Sequence, residues 1–272
     1  MKRSTIDVIC CPSCHGELTL LEQAVADEVL QGTLLCSRCR REYPVRSGIS
    51  HFIQAEELGE LDRRFARLYD WFSYVYAPLV KATFVLLVGS ERKARMEILD
   101  RLELTGGRLL EISVGPGVNL PYLYESPQVG EVFGLDISQG QLRRCQRLAE
   151  RRGWPVDLFH APAEALPFRA NTFDSILHIG GINFFSDKKH ALEEMVRVAR
   201  PGTRVVIADE TEQVARLYDR MPGFSREEGA KKAETVAPVA LLPEGMQEVD
   251  VRGIWRAHGQ YHGWCLTFRK PS

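Results

Sequence analysis

Between Arg108 and Ala208 short apolar runs alternate with amphipathic stretches, and that alternation leaves few folds open. Arg108-Leu109-Leu110-Glu111-Ile112, Val132-Phe133-Gly134-Leu135, Asp157-Leu158-Phe159-His160, Phe173-Asp174-Ser175-Ile176-Leu177 and the run from Arg204 to Ala208 have the length and composition of buried strands. Between them, Gln139 to Arg152 carries Leu142, Cys145, Leu148 and Ala149 on one helical side, with Gly153 as its stop. Asp187 to Arg200 reads as a second helix, capped by Ser186 and ended by Pro201-Gly202. Strands joined in this way demand an α/β fold with a mostly parallel sheet and right-handed crossovers. Gln247 to Val251 and Tyr261 to Arg269 read as two closing strands, after an irregular to helical insertion over 212–245.

The first 55 residues follow a different logic. Cys11-Pro12-Ser13-Cys14 and Cys36-Ser37-Arg38-Cys39 are two CxxC pairs separated by 21 residues. Each pair forms a knuckle that aims two thiolates at one ion, and two knuckles supply the four tetrahedral ligands that zinc prefers. Four thiolates also accept iron, and Cys10 is an alternative to Cys11 as ligand, although Cys11 has the better spacing. A module of this size has too small a core to hold itself, so a closed, structural metal site answers a folding need. Five of the seven cysteines fall in the first 39 residues in this metal-type spacing, which fits a reducing compartment better than a disulfide framework.

Residues 56–104 read as a mainly helical linker, with Gly89 as a stop and Ser90-Glu91 as a capped restart. Within it, Trp71 to Val88 is nearly long and apolar enough to cross a bilayer, but Lys81 at its middle and Pro78 argue for a helix packed on protein. The start of the chain has no long apolar run before a small-residue cleavage site, so a cytoplasmic protein is expected. The formal charge of -1 and the pI near 6.7 give no global sign of a nucleic-acid partner.

Leu110-Glu111-Ile112-Ser113-Val114-Gly115-Pro116-Gly117 runs from the first strand into a glycine-rich turn, and Asp136 ends the second strand. Glycine lets backbone approach a ligand at the carboxyl edge of a sheet, and a carboxylate there can accept both hydroxyls of a ribose. A dinucleotide fingerprint would want glycine or alanine where Leu120 stands, which turns the reading away from NAD.

Three segments then carry a resemblance: the glycine turn with Asp136; Ala163-Glu164-Ala165-Leu166-Pro167-Phe168 before Asn171-Thr172-Phe173-Asp174; and Arg197-Val198-Ala199-Arg200-Pro201-Gly202-Thr203. In this order they resemble the motifs of class I S-adenosylmethionine-dependent methyltransferases, over about residues 60–270. The resemblance implies a Rossmann-like, seven-stranded doubly wound sheet over 105–272, with 212–245 as a variable lid. It implies that Glu111, Ser113, Gly115 and Gly117 line the methionine part of the cofactor. Asp136, with Ile137 beside it, would hold the ribose, Ala163 and Glu164 would flank the adenine, and His178, Ile179 and Gly180 would face the sulfonium. Ser113 replaces the family's first glycine, and Pro162 stands where an acid often contacts the adenine amine. The run Cys39-Arg40-Arg41-Glu42-Tyr43-Pro44-Val45-Arg46-Ser47-Gly48-Ile49 resembles the end of the zinc ribbons of tRNA- and protein-methyltransferase activators. Such ribbons are also fused to bacterial rRNA guanine methyltransferases.

Methyl transfer from a sulfonium needs an aligned acceptor, exclusion of water and sometimes a base. His178 is the first candidate for that base, with Asn183 and Asp187 nearby. No Asn-Pro-Pro-aromatic or Asp-Pro-Pro-aromatic run follows the fourth strand, and Gly180-Gly181-Ile182-Asn183-Phe184-Phe185 looks like the small-molecule, quinone-type methyltransferases. The expected acceptor is small and rather apolar, held beneath a lid made by 69–88 and 212–242. Two other readings remain: an rRNA or tRNA methyltransferase whose ribbon arginines 38, 40, 41 and 46 grip RNA, and a non-catalytic scaffold whose ribbon docks a partner protein.

Overall fold

The computed structural model describes residues 1–21, 27–53, 89–212, 214 and 236–272. Its eleven strands are β1 (Leu18–Leu21), β2 (Gln31–Cys36), β3 (Glu42–Arg46), β4 (Ile49–His51), β5 (Arg108–Ile112), β6 (Glu131–Asp136), β7 (Val156–His160), β8 (Phe173–Ile179), β9 (Ala199–Glu210), β10 (Gln247–Ala257) and β11 (Gln260–Arg269). The helices described are α1 (Glu91–Leu99), α2 (Leu120–Leu123), α3 (Gln139–Arg152) and α4 (Lys188–Val198).

All eleven strands form one sheet, in the order β1-β2-β3-β4-β7-β6-β5-β8-β9-β11-β10. The run from β7 to β10 is the expected seven-stranded, doubly wound part. Its β5, β6, β7, β8 and β9 are parallel, and β11 and β10 close it in antiparallel fashion. The order reverses direction between β5 and β8, which makes the carboxyl ends of these strands the place where such a sheet takes ligands.

The ribbon is not a separate layer. Its strand β4 pairs in parallel with β7, with Ile49 opposite Leu158, Ser50 opposite Phe159 and His51 opposite His160. The ribbon thereby covers a sheet edge that would otherwise expose unpaired backbone groups. Side chains reinforce the seam: Asp157 accepts from Thr5 Oγ1 at 2.5 Å and Lys2 N at 2.9 Å, and Gln146 Nε2 donates to Ser47 O at 2.6 Å.

Strand alternation sorts the core into two buried clusters, one on each face. Leu109, Val132 and Val206 pack with Ile98, Leu142 and Cys145 of α1 and α3. Leu110, Ile112, Phe133 and Ile207 pack with Leu192 and Met195 of α4, and the same cluster runs on into Ile9, Leu34 and Tyr43 of the ribbon.

Local signals were partly as expected. The Ser90 side chain caps α1 by accepting from Lys93 N, and Gly153 ends α3 at a φ of 65°. Asp187 rather than Ser186 caps α4, accepting from His190 N at 2.9 Å, and the helix stops at Val198. Ser186 instead donates both its N–H and its hydroxyl to Glu164. The expected lid lies outside the described residues over 54–88, at 213 and over 215–235. Among the described residues no helix is long and apolar enough to cross a membrane.

Candidate cofactor cleft and cysteine centre

The turn after β5 is shaped by three left-handed residues, Ser113 (φ 59°), Gly115 (φ 56°) and Gly117 (φ 80°). Each has its reason. Position 113 is where the family's glycine is usual, and the backbone there takes the conformation that glycine favours, so this serine carries a modest strain. A Cβ on Gly117 would stand 2.9 Å from Cys145 Sγ and 3.0 Å from Leu120 Cδ1, which keeps that position free of side chain. At Gly115 the nearest atom to such a Cβ is 4.0 Å away, and its backbone N–H donates to Asp136 Oδ2 at 2.8 Å.

Asp136 Oδ1 in turn accepts from Ser138 N at 2.8 Å, so both carboxylate oxygens are positioned by backbone and the carboxylate stays fixed at the strand end. Beside it lies an open cleft. It is lined by Ser113, Gly115 and Asp136, by the apolar Leu135, Ile137, Ala161, Pro162 and Ala163, by Gln141 and Glu164, and by Ile179, Gly180, Gly181, Phe184 and Phe185.

Of the residues singled out from sequence, the cleft brings together Ser113, Gly115, Asp136, Ile137, Ala163, Glu164, Ile179 and Gly180. It does not include Glu111, Gly117 or His178. Gly117 acts through packing. Glu111 is 1% exposed. Its Oε1 accepts from Asn119 Nδ2 at 2.6 Å, Asn119 Oδ1 accepts from Arg95 Nη1 at 2.6 Å, and Oε2 has no partner. Burial pushes the Glu111 carboxyl up to about 7 against the opposing pull of Asn119 and Arg95, with Asp136 adding to the rise.

His178 is fully buried, and its ring packs on that of Phe185, which lines the cleft, with centroids 5.1 Å apart. Its Nδ1 lies 3.1 Å from Ile112 O, a carbonyl that can only accept, so Nδ1 carries the hydrogen and Nε2 the lone pair. Nε2 has no partner, and burial lowers the imidazole pKa, which keeps the ring neutral. Asn183 Nδ2 donates to Asp209 Oδ2 at 3.1 Å, while Asp187 serves as the cap of α4.

Gln141 and Phe185 were missed from sequence. Gln141 sits three residues past the capping Ser138, so helical geometry returns its side chain toward the end of β6, where its Oε1 is buried without a partner. Only the cap itself could have signalled it.

In the ribbon, the sulfurs of Cys11, Cys14, Cys36 and Cys39 all lie within 4.8 Å of one another, with Cys11–Cys39 at 3.6 Å and Cys14–Cys36 at 3.5 Å. A tetrahedral zinc with bonds of about 2.3 Å separates its sulfurs by about 3.8 Å, so the donor set fits such an ion. Cys10 is not part of it: its thiol is buried beside Arg197 and Glu194, and burial pushes it up to about 11. A Cβ on Gly16 would lie 3.0 Å from Cys36 Sγ and 3.3 Å from Cys14 Sγ, which explains a glycine after the first knuckle. Arg38 Nη1 donates to Cys14 O at 3.2 Å and Arg41 Nη1 to Ser13 Oγ at 2.6 Å, so two ribbon arginines brace the knuckles.

Comparison with known proteins finds a match for each of the two parts. Residues 110–207 match the methyltransferase domain family, and residues 2–48 match the Trm112p-like protein family. The ubiquinone/menaquinone biosynthesis C-methyltransferase of Geobacter sulfurreducens is 29% identical over 182 residues, 64% of this chain and 71% of that one. The demethylmenaquinone methyltransferase of Thermus thermophilus is 34% identical over 126 residues, 46% of this chain and 57% of that one. Thus the chain spans little more than half of the second relative. Among solved structures, a SAM-dependent methyltransferase from Aquifex aeolicus shares the fold with a TM-score of 0.51 at 20% identity, covering 70% of this chain and 97% of that one. A chain from the complex of the Haloferax volcanii Trm112 methyltransferase activator with a putative methyltransferase gives a TM-score of 0.53 at 15% identity, covering 75% and 98%.

Proposed function

We propose that this chain, which joins an S-adenosylmethionine-dependent methyltransferase domain to a Trm112p-like module, methylates a small and rather apolar acceptor. The observation that carries the reading is the fixed Asp136 carboxylate at the wall of an otherwise apolar cleft, which suits a ribose beside an adenine. Asp136 accepts the ribose hydroxyls, Ile137 and Ala163 pack on the adenine, and the backbone of Ser113 and Gly115 allows close approach. Glu111, whose Oε2 is buried and unpartnered, fits the ammonium of the methionine part. When bound, the cofactor supplies an activated methyl group on a sulfonium. The protein's share is to align the acceptor, keep water out and hold a lone pair at His178 Nε2 for the acceptor's proton.

The four cysteines would hold zinc as a structural ion. The cited relatives are named for quinone-type substrates, which agrees with this class. Transfer of labelled methyl from S-adenosylmethionine into organic-extractable phenolic, quinol or lipid-like acceptors tests the reading; no transfer to any of them counts against it.

A second reading, methylation of RNA, is favoured by one observation. Arg46 of the ribbon and Arg143 of α3 both act on the same residue, His51, and with exposed Arg147, Arg151 and Arg152 they form a basic stretch across the seam. Filter binding of tRNA and rRNA fragments over a salt series separates the two readings, since phosphate contacts weaken steeply with salt.

A further inference from the structure

The two ends of the sheet differ. At the ribbon end β1 is four residues long, whereas at the other end β10 runs for eleven, from Gln247 to Ala257. Among the described residues no strand pairs with the outer side of β10. A long open edge offers a row of backbone donors and acceptors to any strand that matches it.

The ladder decides which of these groups face outward. Even-numbered residues of β11 and its end bond to the β9 side: Thr211 N donates to His262 O at 2.9 Å and Lys270 N to Thr203 O at 3.0 Å. Successive residues of an antiparallel strand bond to opposite neighbours, so Gly263, Cys265 and Thr267 bond to β10. Their partners there are Ile254, Arg252 and Asp250. Val251 and Gly253, which alternate with them, direct N–H and C=O away from the sheet. Trp255 follows the same alternation, and its outward N–H donates to Glu97 Oε2 of α1 at 3.1 Å. That contact ends the open stretch.

The side chains of this stretch are matched to one another. Asp250 and Arg252 share a face and are open to solvent, with Arg252 Nε donating to Asp250 Oδ2 at 2.7 Å. Val251, on the opposite face, is exposed, as are Val249 and Tyr261. The Tyr261 ring lies across Gly253, where a Cβ would stand 2.5 Å from it.

We propose that this edge pairs in antiparallel fashion with the same edge of a second copy of the chain, about a two-fold axis at Val251. Such a pairing sets each residue opposite the one equally far on the other side of Val251. The two Val251 residues exchange N–H···O bonds, Asp250 of each copy stands opposite Arg252 of the other, and Val249 meets Gly253 beside the Tyr261 ring. Opposite charges across a strand pair attract and like charges repel, so charge selects this register. A centre at Val249 sets Asp250 opposite Glu248, a like-charge pair. A centre at Gly253 sets Val251 opposite Trp255, whose N–H Glu97 already holds. Helix α1 packs at the Trp255 end, where Trp255 Nε1 donates to Ala94 O at 3.1 Å, so the two-fold puts the two copies of α1 at opposite ends of the ladder.

Sedimentation velocity of the full chain from about 1 to about 500 µM tests the pairing. One strand pair is a small interface, so we expect half-association at about 10–100 µM. Val251→Pro removes an outward N–H and leaves the β10–β11 bonds in place, and Arg252→Asp sets acid opposite acid. Each should weaken association at least about tenfold, whereas Asp250→Arg combined with Arg252→Asp should restore it to within about threefold. Thermal unfolding of dilute protein shows that the variants are folded, and two positions guard against the loss of either. A chain that stays monomeric over the whole range, a dimer that both single variants leave unchanged, or a double variant that associates no better than Arg252→Asp overturns the proposal.

Discussion

His51 Nδ1 of the ribbon lies 3.2 Å from His160 Nδ1 of the methyltransferase sheet, and His160 Nε2 lies 3.0 Å from the carbonyl of Ile137 in the cofactor cleft. The carbonyl can only accept, so His160 carries its hydrogen on Nε2 and must accept at Nδ1 from His51. One hydrogen therefore links the last strand of the ribbon to the cleft wall. Burial lowers the His51 pKa from 6.5 to about 4, helped by His160, Arg46 and Arg143.

A pH dependence follows from that link. Between pH 6.5 and about 4 the unfolded chain binds the proton that folded His51 refuses, so stability is fully present above pH 6.5 and falls as the pH drops through this window. Reduced for partial solvent exposure, the loss across this window amounts to about 1–2 kcal/mol. Urea unfolding at pH 7.5 and pH 4.5 measures it. His51→Phe should remove this part of the pH dependence while lowering stability at pH 7.5, and an unchanged pH profile would break the assignment.

Glu111 predicts a conflict between stability and binding. Its carboxyl is raised to about 7, so folding favours the protonated form and stability is lost as pH rises from 4.5 through 7. Glu111→Gln keeps an acceptor for Asn119 Nδ2 and removes the buried charge. It should stabilise the ligand-free protein at pH 8 by about 2 kcal/mol and weaken binding of S-adenosylhomocysteine about tenfold or more. A variant that gains in both respects would argue against an ammonium at this carboxylate.

The glycine turn gives a matched pair of substitutions. Ser113→Gly relieves a left-handed serine and should stabilise by up to about 1 kcal/mol. Gly117→Ala combines a φ of 80° with a Cβ 2.9 Å from Cys145 Sγ and should destabilise by about 1–3 kcal/mol. Thermal unfolding of both variants checks the signs.

Removing metal should act on the sheet as well as on the ribbon. With no ion shared by the four cysteines the knuckles lose their common ligand, and the pairing of β4 with β7 weakens although the shared core still holds the module to the sheet. After chelation, amide hydrogen exchange should rise along Val156–His160, whereas β5 and β8 in the middle of the sheet stay protected. Unchanged protection in β7 would mean that the ribbon strand holds without metal.

What could be read from sequence follows from how local each signal is. The cysteine knuckles, the Ser90 cap, the Gly153 stop and the turn leading to Asp136 are written in a few adjacent residues, and all appear in the structure. The joining of ribbon and sheet was not legible, because β4 is three residues long and its pairing with β7 bridges more than a hundred residues of chain. For His178, strand position gives the sheet edge, but how its ring sits relative to the cleft depends on its packing with Phe185 beyond the strand, which spacing does not show.

The central claim is that Asp136 and its cleft hold S-adenosylmethionine. Calorimetric titration of the purified chain with S-adenosylhomocysteine, with NAD as control and Asp136→Ala alongside, tests it most directly. The account predicts binding in the micromolar range, at least about tenfold weaker in Asp136→Ala, and none for NAD. Binding of NAD in preference, or binding of S-adenosylhomocysteine that Asp136→Ala leaves unchanged, would contradict it.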